Sequence, residues 1–407
     1  MIKKTLVLFF YLVFIIYTLE VLTTVFLIKE NTVINVSNKR EISAKKFDIE
    51  IDNRPYIEVF SELVKTNALR HEFRLNISSL NSYKSVLTSL KLIPLKGPIN
   101  SNSLGQYSNE NGNYKIYKND KYGFRNDNKI YDKKIVNLII GDSFAEGLPL
   151  EQNKNVSSIL IDKFDLNTAN FGVAGTSLIS YYAVFKEYAK QIKPDNVIIF
   201  YYEGNDFLML NSEKNSFLSK YLKEDFTQNL IKKKYEVNKS LKILENYTQD
   251  IYNISMDKEF QKEKNLFNKE RVIDFLEIQN LRSIFNIDLS VPDYSMETNL
   301  FKTIIRNINE QTQEWGGELI LVYVPSWGRY NDKYKFEGNN AKYIFNLKNL
   351  LIDFLKKNSI EYIDLDKEFT KSNNPSKYYN FDFYGHFNDE GYMLLGELIN
   401  SKVNSMD

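Results

Sequence analysis

The chain has 407 residues, 43% hydrophobic and 26% charged, enough apolar material for one large domain or two smaller ones. Its 53 Lys and Arg against 52 Asp and Glu leave a formal charge of +1, without the basic excess of a dedicated nucleic-acid binder, so no nucleic-acid partner is expected. With no Cys and only two His, His71 and His386, thiol catalysis, disulfides and Cys-based metal sites are excluded; no metal or cofactor is expected, and any imidazole base is one of these two.

The first element is apolar. From Thr5 to Ile28 only Glu20 and a few hydroxyls interrupt a run long enough to cross a hydrocarbon core of about 30 Å. Lys3 and Lys4 precede it and no Ala-x-Ala-like site comes after it, so residues 1–30 read as an uncleaved transmembrane signal anchor, with a cleaved leader as the competing reading. Either way the body of the protein is expected outside the cytoplasm. Glu20 would be costly against lipid and implies a partner helix or protonation. Residues 31–134 read as an extension of strands and turns packing on the larger domain C-terminal to it. The extension contains a turn at Asn111-Gly112, a short strand or hairpin around Tyr114-Lys115-Ile116-Tyr117, and a second turn at Tyr122-Gly123-Phe124-Arg125.

From residue 135 to 407 an α/β rhythm sets in. Strands are expected at Ile135 to Ile140, Ala169 to Phe171, Val197 to Tyr202, Leu319 to Val324 and Glu361 to Leu365. Helices are expected at Val156 to Phe164, Ser177 to Ile192, Leu300 to Trp315, about Ala341 to Lys357, and from about Asp389. That order predicts buried parallel strands joined by helices. A charged, helical stretch at about 211–296 interrupts it as an insertion, able to serve as lid, docking surface or spacer.

The candidate chemistry falls at strand ends. Ile139-Ile140-Gly141-Asp142-Ser143 carries Ser143 to the carboxyl end of a strand, where open α/β sheets place their ligands. After the second strand, Asn170-Phe171-Gly172-Val173-Ala174-Gly175-Thr176-Ser177 offers backbone N–H groups to a developing oxyanion. After the third, Glu203-Gly204-Asn205-Asp206 offers a side-chain amide. Near the end of the chain, Asp382-Phe383-Tyr384-Gly385-His386-Phe387-Asn388 supplies His386 as general base for Ser143, with Asp382 orienting its imidazole. Read blandly, the same residues are a glycine turn, a helix cap and a surface histidine; their order along the chain favours the chemical reading.

In these four blocks the chain resembles the SGNH, or GDSL, hydrolases: Ser143 after Gly-Asp, Gly175, Asn205 in a Gly-Asn-Asp turn, and a late His386, over roughly residues 135 to 405. The resemblance implies a three-layer α/β/α flavodoxin-like fold, and an oxyanion hole built from the Ser143 and Gly175 N–H groups and the Asn205 amide. The stretch from Asn109-Glu110-Asn111-Gly112 through Tyr122-Gly123-Phe124-Arg125 resembles a membrane-associated branch found with bacterial polysaccharide assembly. One departure is plain. Members commonly place the acid two or three residues before the histidine, where this chain has Tyr384 and Phe383; Asp382 would reach the ring through a bend at Gly385, or a backbone carbonyl would orient it instead.

The expected activity is a serine-dependent acyl-ester hydrolase or O-acetyltransferase acting on an acylated glycan of the bacterial envelope. Transfer outside the cytoplasm would need a membrane acyltransferase partner to deliver the acyl group. A non-catalytic glycan-binding or assembly factor on the same scaffold is the alternative, with Tyr201, Tyr202, Trp327 and Tyr330 as candidate stacking platforms and Arg329 and Lys333 as candidate contacts for an anionic sugar. A lipid-directed esterase close to the bilayer is a third reading.

Overall fold

The structure, a computed structural model, describes residues 2–28, 33–258, 275–276, 278, 281–282, 294–331 and 341–406. Two short antiparallel ribbons precede the main sheet: β1 (Phe73–Arg74) pairs with β2 (Lys96–Gly97), and β3 (Asn102–Leu104) with β4 (Ile116–Lys118). The Asn111-Gly112 turn lies between β3 and β4, as its sequence indicates. The main sheet tracks the apolar runs closely. Its strands β5 (Asn137–Gly141), β6 (Thr168–Gly172), β7 (Asn196–Tyr202), β8 (Glu318–Val324) and β9 (Glu361–Asp364) are all parallel and stand in the order β6-β5-β7-β8-β9. This is the second-first-third-fourth-fifth order of flavodoxin-like sheets, whose ligand crevice opens at the carboxyl ends of the first and third strands, here β5 and β7.

Alternate residues of each strand feed two separate cores. Leu138, Ile140, Val197, Ile199, Leu319 and Leu321 face the helices that start at Leu178 and Ser295 and the helix Ala341–Lys357. Ile139, Ile198, Phe200, Ile320 and Val322 face the helices Val156–Phe164 and Asp389–Asn404. The result is the expected three-layer α/β/α arrangement, with every sheet residue of β5, β6 and β7 buried.

Helix α1 (Ile2–Ile28) contains the one stretch among the described residues that is long and apolar enough to cross a membrane, Lys4–Thr23, with Leu8 and Phe14 exposed. Glu20 on this helix is buried, and its carboxylate accepts the Leu281 N–H at 2.9 Å, so the partner its position called for comes from the chain itself. Helix α2 (Val33–Lys45) comes next. Of the stretch expected as an insertion, the helix Lys234–Lys258 is described, whereas residues 259–274 and most of those from there to 293 lie outside the described residues. The helix expected from Leu300 begins earlier, at Ser295.

The extension is bound to the sheet by a buried ion cluster. Register places Arg74 directly opposite Lys96, a like-charge pairing that would be unfavourable alone. Two carboxylates compensate it: Lys96 Nζ lies 2.5 Å from Glu146 and 3.7 Å from Glu72, while Arg74 Nη2 lies 2.8 Å from Glu72 and 3.3 Å from Glu146. None of the four side chains is more than 7% exposed. Burial opposes ionisation of Glu146, but Arg74 and Lys96 outweigh it and hold its carboxyl well below the usual range. Lys96→Met should strand the two carboxylates with a single cation and lower stability by about 3–5 kcal/mol, read as an earlier denaturant midpoint. The pair Lys96→Met with Glu72→Gln should recover part of that loss, because it restores charge balance.

Candidate active site

Ser143 comes directly after β5 and begins the four-residue helix Ser143–Glu146. Such a short helix leaves its carbonyls unsatisfied, and side chains from three parts of the chain supply donors. The Tyr392 hydroxyl donates to the Phe144 carbonyl (2.9 Å), the Asn170 amide to that of Ala145 (2.7 Å), and the Arg125 guanidinium to those of Glu146 (3.1 Å) and Gly147 (2.9 Å). Arg125 is 1% exposed and stacks on the Tyr117 ring, so the second turn motif of the extension is the cradle of the serine helix. At the other end Asp142 caps the helix by accepting the Phe144 N–H at 2.9 Å. Burial pushes the Asp142 carboxyl up to about 6 in spite of that bond.

Ser143 and His386 meet: Oγ lies 2.7 Å from Nε2. The other ring nitrogen is taken by a residue that does not stand out in the sequence. Glu110 Oε2 lies 2.7 Å from His386 Nδ1, and Glu110 Oε1 accepts the His386 backbone N–H at 2.6 Å. With a carboxylate on Nδ1, that nitrogen carries the proton and Nε2 is free to accept one from the serine. Asp382, expected in this place, is instead exposed, at the end of the short turn Asn380–Asp382. Its backbone carbonyl accepts the Trp327 indole N–H at 3.1 Å. The reason for the exchange lies in Gly385. Its φ is +145°, and a Cβ there would stand 1.9 Å from Glu110 Oε1, so the bend beside the histidine makes room for a carboxylate arriving from another part of the fold.

The electrostatics result from this seating. Burial raises the Glu110 carboxyl, but the His386 imidazole, the Arg40 cation and the hydrogen bonds from His386 outweigh it and hold the group down at about 2. Burial disfavours protonated His386, yet Glu110, with a smaller contribution from Asp142, holds the imidazole above its usual range; Arg40 opposes them.

Of the three expected oxyanion donors, Ser143 follows β5 itself, and the other two, Gly175 and Asn205, lie in the loops after the strands that flank it. Gly175 lies beyond β6 with φ +75°, and its loop is held on both sides of the peptide before it: the Ala174 N–H donates to Glu146 (2.8 Å) and the Ala174 carbonyl accepts from the Asn76 amide (3.3 Å). Asn205 ends the turn after β7, and its side-chain oxygen is buried without a hydrogen-bond partner among the described residues. The two loops are tied to each other, since the Ser177 hydroxyl donates to the Asp206 carbonyl at 2.5 Å and Tyr181 bridges the Asp206 carboxylate and the Thr176 carbonyl.

The aromatic and cationic candidates are placed differently from expectation. Tyr201, Tyr202 and Trp327 are buried, so none of these three stands as an open stacking face, and Tyr330 is half-buried with its hydroxyl donating to Asp366. Arg329 is committed to Glu203, its Nε donating to the carboxylate at 2.8 Å. Lys333 lies outside the described residues.

No model of a known protein family matches this chain, and no curated protein matches its sequence. Among solved structures it is similar to a GDSL-like lipase from Bacteroides thetaiotaomicron, with 12% identity, a TM-score of 0.35, and coverage of 68% of this chain and 91% of that one. It is similar also to a lipase/acylhydrolase from Enterococcus faecalis (15% identity, TM-score 0.34, 66% and 96% covered). A third is a catalytic mutant of an acetylxylan esterase from Geobacillus stearothermophilus (11%, 0.34, 66% and 93%).

Glu110→Gln should lower kcat on a small soluble ester such as p-nitrophenyl acetate by about 10²–10⁴-fold, as loss of an orienting acid does in serine hydrolases, whereas Asp382→Asn should leave it unchanged. The base works only when neutral. The acid limb of kcat/KM should therefore lie above the usual imidazole value of about 6.5, and Glu110→Gln should move it to lower pH.

Proposed function

We propose that this chain is an SGNH-type serine esterase or acyltransferase in which Ser143 is the nucleophile, His386 the general base and Glu110 the acid that orients it. The observation that carries the reading is the continuous chain of contacts from Ser143 Oγ to His386 Nε2 and from His386 Nδ1 to Glu110 Oε2, both at 2.7 Å. Nε2 accepts the serine proton as Oγ attacks the acyl carbonyl carbon, and the tetrahedral oxyanion is met by the Gly175 N–H and the Asn205 amide. Collapse breaks the ester C–O bond, and the imidazolium returns its proton to the leaving alcohol. The acyl-serine then passes to water, giving hydrolysis, or to a sugar hydroxyl, giving transfer, with His386 again taking the attacking proton.

The apolar helix Lys4–Thr23 supports a membrane-associated setting, in which an O-acylated envelope glycan would be the substrate or acceptor. Acyl-CoA is cytosolic, so transfer on the far side of the membrane requires a membrane protein that hands the acyl group across. The non-catalytic alternative rests on the unusual Asp382 spacing and on the aromatic content of 14%, and Glu110 on Nδ1 speaks against the first of these grounds.

A fluorophosphonate probe should label the full-length protein in detergent, and labelling should be lost in Ser143→Ala and His386→Ala. Asn205→Ala should retain labelling while turnover falls by about 10²–10³-fold. Undiminished labelling of folded Ser143→Ala would overturn the assignment of the nucleophile.

A further inference from the structure

Helix α2 and the segment after it belong to the active site as much as the strand ends do. Ala44 on this helix is fully buried, and Phe47 just beyond it packs on Phe381 with ring centroids 5.9 Å apart, which seats the segment on the turn leading to His386. A little further on, the Asn109 amide donates to the Asp52 carbonyl (2.7 Å) and the Asp52 N–H to the Gly112 carbonyl (3.0 Å), so the same segment clasps the turn that carries Glu110. Ahead of these two clasps Arg40 projects from α2. Its Nη2 donates to the Tyr384 carbonyl at 3.2 Å, two residues before the histidine, and its Nε is buried without a hydrogen-bond partner among the described residues.

A buried guanidinium N–H without a partner calls for a reason beyond the one hydrogen bond to Tyr384. We infer that Arg40 is a positioning residue of the catalytic unit, fixing the His386 loop through the Tyr384 carbonyl and setting the charge around the Glu110–His386 pair from the helix next to the apolar span. The inference rests on the serine-esterase reading and deepens it. It makes the segment after the anchor a working part of the site rather than a linker. Of the ionisable groups that bear most on His386, Glu110 and Asp142 favour its protonated form and Arg40 opposes it.

That opposition gives a test that a purely structural residue would fail. In full-length protein held in nanodiscs, Arg40→Gln should lower kcat on p-nitrophenyl acetate by about tenfold with KM little changed, as a small displacement of the base does. The acid limb of its kcat/KM profile should move to higher pH, opposite in direction to the shift expected from Glu110→Gln. Arg40→Lys keeps the charge without the planar fork, so its limb should stay near the wild-type position while kcat remains reduced. The Lys variant also carries the test if Arg40→Gln does not fold. Wild-type labelling by the fluorophosphonate with an unmoved pH limb and unchanged kcat in folded Arg40→Gln would overturn this inference and leave the serine-esterase reading standing. Absence of labelling in the wild type would overturn that reading first.

Discussion

One carboxylate, Glu146, joins three parts of the molecule that the chemistry needs in register. It lies one turn after Ser143, and one of its oxygens is held by Lys96 and Arg74 from the extension while the other accepts the N–H of Ala174, next to Gly175. The serine helix, the loop beside it and the first antiparallel ribbon are thereby referred to a common point. A buried charge tolerates little misplacement, because each partner is stranded when another moves. The close approach is backed sterically. A Cβ on Gly172 would stand 2.2 Å from the Glu146 nitrogen, so the end of β6 and the serine helix meet backbone to backbone.

The region before residue 135 is therefore not an appendage. It provides Glu110 at the histidine, Arg125 under the serine helix, Asn76 at the Ala174 carbonyl, and Lys96 with Arg74 at Glu146. The parallel sheet by itself holds the serine, the histidine and the two donor loops, but not the group that fixes the imidazole. Excising the α/β portion along the boundary drawn from its sequence pattern would remove the acid and leave Glu146 buried without its cations.

The sheet was legible because apolar runs flanked by glycines and helix-period stretches mark parallel strands and their crossovers directly. Ser143 and His386 were legible because each sits in a short block whose neighbours are fixed by turn geometry. Glu110 was not, since the acid was sought close to the histidine in the chain, whereas a carboxylate can reach an imidazole from any part of a fold and leaves no spacing behind. The cue lay elsewhere: the Asn-Glu-Asn-Gly turn places a carboxylate at a tight bend between two strands, and Gly385 beside the histidine marks a spot where something must approach closely. Arg329 misled for the opposite reason, because a sequence shows a cation but not the buried Glu203 that already neutralises it.

The clasp of α2 on the catalytic loops also fixes a length. From the end of α1 at Ile28, the path to Arg40 runs through the few residues before Val33 and part of a helix, and cannot stretch beyond about 30 Å. Since Arg40 is held at the Tyr384 carbonyl, none of the chain after it is available as slack. With α1 in a bilayer, Arg40, and with it the loop at Tyr384, would therefore be tethered at most about 30 Å from the end of that helix. An ester substrate would then have to come close to the membrane surface to meet the serine.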